Sequence, residues 1–136
     1  MTIAQALSRT AAVKPGPFSD ADKLAWLSEL DGQIDQELIR THEGAPEAPF
    51  LPYTADTDPE TNLLVPDPYS KLYISCLCAR MDFYSAEYAR FNNTQRRFEV
   101  DYREAADWYN RTHMPHMAKI RLGEAAGNAP QGGVLA

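Results

Sequence analysis

Cysteine and histidine are scarce: 136 residues hold two of the first and three of the second. Cys76 and Cys78 stand two positions apart, which excludes a disulfide framework. On a helix they point about 200° apart and read as buried thiols filling core space. No run approaches the roughly 20 apolar residues that a membrane span needs. The start MTIAQALSRT has no basic stretch leading into an apolar core, so no secretory signal is read there. A soluble intracellular protein is expected. Also missing are G-x-x-x-x-G-K, G-x-G-x-x-G, H-E-x-x-H and G-x-S-x-G, the patterns of phosphate cradles, dinucleotide sites, zinc helices and nucleophile elbows. Three residues before His42, His113 and His116 stand Ile39, Asn110 and His113, so the Glu-x-x-His pairs of a di-iron bundle are missing too. The expectation is a protein that is not an enzyme, with no cofactor and no metal.

What is present suits one globular domain. Two Trp, seven Tyr and five Phe within a 44% hydrophobic composition are enough for a core. Charge is unevenly spread. Residues 1–67 hold 4 Lys and Arg against 12 Asp and Glu, whereas residues 68–136 hold 9 against 7. The one basic doublet, Arg96-Arg97, has Glu99 and Asp101 beside it, which disfavours a nucleic-acid face. An acidic half beside a mildly basic half suits protein association, because opposite patches steer docking.

Periodicity predicts a mostly α small helical bundle, one short N-terminal helix followed by three longer ones. Thr2 caps a helix running to about Ala12, which Lys14-Pro15-Gly16-Pro17 stops. Ser19 caps the next, with Asp20 and Asp22 in its first turn. Leu24, Leu27, Leu30, Ile34 and Leu38 form one stripe along it, and Gly44 is its expected stop. Five of the ten prolines fall in 45–67. A Pro-rich loop, or a small β-hairpin pairing Phe50–Tyr53 with Leu63–Val65, is expected at about 45–66. Asp67 and Pro68 suit the start of a third helix, on which Tyr69, Tyr73, Leu77, Met81, Tyr84, Tyr88 and Phe91 share a face. Asn92-Asn93-Thr94 reads as a break into a last helix buried through Phe98, Tyr102, Ala105 and Tyr109 and antiparallel to the third. The domain spans 1–116. Residues 117–136, ending GNAPQGGVLA, form an extended or partner-ordered tail.

Several patterns could carry a site. His113 and His116 form an H-x-x-H, but Pro115 breaks the helix that would align them. Asp56, Asp58, Glu60, Asn62 and Asp67 repeat the oxygen spacing of a calcium loop. Thr61 replaces the required glycine and Asp67 the bidentate glutamate, so a solvated acidic loop is favoured. Arg80, Arg90, Arg96, Arg97, Arg103 and Arg111 alternate with acids, which fits either a salt-bridged outer face or a charge seam between subunits. Trp26 lies beside the apolar stripe rather than on its centre line and is a candidate interface anchor.

The blocks WLSELDGQIDQELIRTHEG (26–44), LLVPDPYSKLY (63–73), EYARFNN (87–93) and WYNRTHMP (108–115), taken in order, resemble the head–tail connector (head-completion adaptor) proteins of tailed bacteriophages and prophages. That resemblance implies a subunit of a homo-oligomeric ring, a dodecamer, seated beneath the portal protein. Such a ring carries a downstream neck or tail-completion protein and continues a channel through which DNA passes without sequence-specific binding. It implies residence in the neck of the virion, assembly in the bacterial cytoplasm, and no membrane partner. By the same analogy, Asn110, Arg111, Thr112, His113, Met114 and Pro115 are candidates for portal contact, with Trp26, Arg96 and Arg97 as further interface candidates. A small cytosolic regulatory protein that binds one partner is the alternative.

Overall fold

The structure, a computed structural model, describes residues 1–116; the expected tail at 117–136 lies outside the described residues. Among the described residues four α-helices follow one another: α1 (Ile3–Val13), α2 (Asp20–Ile34), α3 (Lys71–Tyr84) and α4 (Tyr88–Thr112). Thr2 caps α1 through the Gln5 N–H, and the Gln5 side chain returns the bond to the Thr2 N–H, a reciprocal capping box. Ser19 caps α2 through the Asp22 N–H. Beyond Ile34 the helix runs on into one π-helical turn, Asp35–Ile39. Helical structure therefore stops short of Gly44, which takes a φ of 87° in the turn beyond.

Side-chain pairs give the helix directions. Along α3 and α4, Lys71 meets Glu104, Ser75 meets Asp101 and Asp82 meets Thr94, so the two are antiparallel as expected. Tyr73 meets Asp31, Arg80 meets Glu29 and Tyr84 meets Trp26, so α2 is antiparallel to α3 as well. Nine of the fourteen residues of α3 are buried, which makes it the central helix. Around Leu72, Tyr73, Cys76 and Leu77 close Ile3 and Ala6 of α1, Leu27, Leu30 and Ile34 of α2, and Ala105 of α4. Burial pushes the Cys76 thiol up to about 11, which leaves it inert at neutral pH.

Residues 45–66 form a loop; among the described residues, isolated bridges such as Thr2 with Asn62 take the place of the alternative hairpin. The loop has its own anchors. Carbonyls of Pro59 and Thr61 accept from the Ala4 and Ile3 N–H groups, which satisfies donors orphaned at the start of α1. Leu63 and Val65 enter the core. The Arg40 guanidinium donates to the carbonyls of Pro46 and Ala48.

Two boundaries differ from the sequence expectation. Asp67 caps no helix: it accepts from Ser70 Oγ within a turn, and α3 begins at Lys71. The break before α4 falls at Ser85–Glu87 rather than at Asn92–Thr94, because Thr94 Oγ1 is drawn inward to the Asp82 carboxylate, 3.0 Å away. Ala86 makes the turn at a φ of 58°, where a Cβ is strained. Ala86→Gly should therefore stabilise the fold by about 0.5 kcal/mol, since the relieved strain exceeds glycine's added chain entropy. A urea midpoint equal to or below that of the parent would show an unstrained turn.

Candidate interaction surfaces

The helix directions give the bundle two distinct ends. At one, the end of α3 meets the first half of α2 on one side and the start of α4 on the other, and aromatic rings gather there. Trp26 stacks on Tyr84 with centroids 5.5 Å apart and planes 1° from parallel, and Phe18 meets Trp26 edge-on at 5.5 Å. Phe83 touches Tyr84, Tyr88 and Phe91 at 5.2, 6.3 and 5.3 Å. Phe83, Tyr84 and Tyr88 are 46%, 56% and 60% exposed. A contiguous exposed aromatic patch has the composition of an interface core rather than of ordinary surface.

This cluster corrects the expected face on α3. Tyr73, Leu77 and Met81 of that row are buried, but Tyr84 and Tyr88 are not, because the chain reverses between them. Trp26 is placed in the cluster, half-buried behind Tyr84. Phe83 escapes the periodicity because it lies off the row. Its only sequence signal is its place beside Tyr84, five residues before Tyr88.

At the opposite end, the candidates Asn110–Pro115 run from the last turn of α4 into a segment that folds back on the turn after α2. His42, buried, donates from Nδ1 to the Leu38 carbonyl at 2.5 Å, and its Nε2 pairs with the Asn110 side-chain amide at 2.7 Å. Glu43 N–H donates to the Met114 carbonyl, and His116 N–H to that of Thr41, so Pro115 pairs with His42. The His113 ring stacks on Tyr109 at 3.8 Å. Thr112 Oγ1 donates back to the Trp108 carbonyl. Arg111 and Met114 point to solvent, Met114 at 54% exposure. Asn110 through His42, His113 through Tyr109 and the backbone around Pro115 thus hold the strip, and Arg111, Thr112 and Met114 are exposed on it.

Arg96 and Arg97 separate. Both are exposed, but Arg97 alone reaches to 3.8 Å from Asp101, a buried carboxylate that also accepts from Ser75 Oγ. Among the described residues Arg90, Arg96, Arg103 and Arg111 form no ion pair, so α4 has unneutralised cations on its outer side.

Buried carboxylates serve the fold. Asp31 accepts from Tyr53 Oη, Tyr73 Oη and the Leu64 N–H; Asp82 meets Lys14 and Thr94. Among the described residues no three His, Cys, Asp or Glu are grouped to hold a metal ion, and no helix is long and apolar enough to cross a membrane. Asp58 of the acidic loop accepts from the Glu60 N–H in a local turn. Comparison of the chain with family profiles, curated sequences and solved structures returns no match.

Proposed function

We propose that this chain is a virion protein of the head–tail connector class, a ring subunit that joins a portal to a neck or tail component. The observation that carries the proposal is the separation of two unlike surfaces at opposite ends of one antiparallel bundle. An adaptor needs separate contacts for a neighbouring subunit and for a second protein, and contacts that close a ring are heterologous. The aromatic cluster suits the first role, since buried aromatics dominate interface energetics. The strip at 110–115, with Arg111 and Met114 outward, suits the portal, in line with the resemblance to the connector proteins.

The test is co-expression with the portal protein of the same source, followed by sedimentation and negative-stain imaging. A portal bearing an added ring layer is expected. The layer should be lost when residues 114–136 are removed, and also in the full-length Arg111→Glu/Met114→Ala variant, which leaves the packed residues of the strip in place. A protein that sediments apart from the portal as a compact dimer overturns the connector reading in favour of a one-partner regulatory protein.

A further inference from the structure

The exposed aromatic cluster has a chemical match in the chain itself. Polyproline segments dock on aromatic-lined surfaces, because the fixed proline ring packs against an aromatic face and little chain entropy remains to be lost. Pro49-Phe50-Leu51-Pro52 is a P-x-x-P. Each proline fixes its own φ and drives the residue before it into extended conformation, here Ala48 and Leu51. Three residues per turn then place Pro49 and Pro52 on one edge.

The protein presents this segment at its surface. From Pro49 to Tyr53 the chain makes no turn, and Pro49, Leu51 and Pro52 are exposed, Leu51 at 75%. Phe50 turns inward over Gly32, and the Tyr53 N–H donates to Ser28 Oγ at 2.9 Å, so one side is anchored. Arg40 holds the other through the carbonyls of Pro46 and Ala48. Glu47 at the head of the segment and Arg90, two residues past Tyr88 and without an ion pair among the described residues, are of opposite sign. Ser28 and Gly32, which carry the segment, lie about 200° and 240° around α2 from Trp26, which carries the cluster. The segment and the cluster therefore face apart and do not meet within one copy.

We infer that the aromatic cluster of one copy receives the Pro49–Pro52 segment of a second copy. Because the two surfaces face apart on each copy, one partner cannot engage both at once, so the contact is heterologous and leads to rings or open chains rather than closed symmetric dimers. This rests on the connector reading and deepens it by naming the contact between subunits.

The test uses the protein alone, without portal, so that its outcome is separate from portal binding. Sedimentation equilibrium of the full chain should show mass rising with concentration. Tyr84→Ala/Tyr88→Ala and Pro49→Ala/Pro52→Ala, changed at exposed positions and checked for native circular dichroism, should each weaken association at least about tenfold. Mixed one to one, the two variants hold one intact cluster and one intact segment between them and should form a dimer that grows no further. A peptide of residues 44–54 should compete with association and change Trp26 fluorescence. A parent protein monomeric up to its solubility limit overturns the inference. So does loss with the tyrosine variant but not the proline variant, which would mean clusters pairing with each other. Association unchanged in both variants overturns it as well, and none of these results bears on portal co-sedimentation.

Discussion

Asp31→Ala should cost about 4 kcal/mol of folding stability, a large part of the roughly 5–15 kcal/mol that holds a domain of this size. Asp31 is fully buried and accepts from Tyr53 Oη at 2.5 Å, Tyr73 Oη at 2.6 Å and the Leu64 N–H at 3.1 Å. One carboxylate thereby joins α2, α3 and two distant points of the proline-rich loop. Alanine strands the three donors together, each at about 1–3 kcal/mol where water cannot replace the acceptor. Tyr53, only half-buried, recovers a water, so the sum falls below the maximum. Tyr73→Phe removes one donor and should cost about 1–2 kcal/mol. Urea denaturation of the two variants checks this, and equal losses for both would show that Asp31 is not the hub.

Asp31 also sets a pH dependence of unusual sign. Burial raises its pKa, outweighing the bonds from Tyr53, Tyr73 and Leu64 that lower it. The folded protein therefore binds this proton more tightly than the unfolded chain does. Its contribution is fully present below the unfolded carboxyl value and is lost as pH rises through the folded one. Compared with Asp31→Asn, the parent should hold its greatest advantage in acid and lose part of it toward neutrality. A gap that widens with rising pH would contradict this.

Lys14→Met should cost about 3–4 kcal/mol, more than Asp82→Ala does, although both break the same ion pair. Lys14 Nζ lies 2.6 Å from Asp82 Oδ1, and the side chains are 21% and 1% exposed. Removing Asp82 leaves an ammonium that can swing to water, and Thr94 Oγ1 retains the Arg90 carbonyl at 3.2 Å. Removing Lys14 leaves a carboxylate in the interior with Thr94 as its remaining side-chain partner. Unpaired buried charge is the costlier defect. Thermal and urea unfolding of the two variants and the double variant measure the asymmetry, and a larger loss for Asp82→Ala would refute it.

Chemistry confined to neighbouring residues is legible in the sequence itself. Thr2 with Gln5, and Ser19 with Asp22, announce two helix starts because a cap needs only side chains within one turn. The stripe from Leu24 to Leu38 announces the buried side of α2, since that side follows from a period of 3.6. The place of Trp26 off the centre of that stripe marks it as a boundary residue. The proline run announces a loop.

Between Tyr69 and Tyr109 the periodicity is continuous, and there the sequence does not say where the chain turns. Asn92-Asn93-Thr94 has the composition of a break, whereas Ser85-Ala86-Glu87 has none. Which one turns is decided by Asp82, whose buried carboxylate needs the Thr94 hydroxyl from the returning helix. That choice separates Tyr84 from Tyr88, exposes both, and so creates the aromatic cluster. Residue types and spacing alone determined the four described helices, the caps of α1 and α2, most of the core and the acid-rich first half. Tertiary structure alone decided where α3 reverses, which aromatics reach the surface and how Asp31 binds the loop, because each depends on partners far apart in the chain.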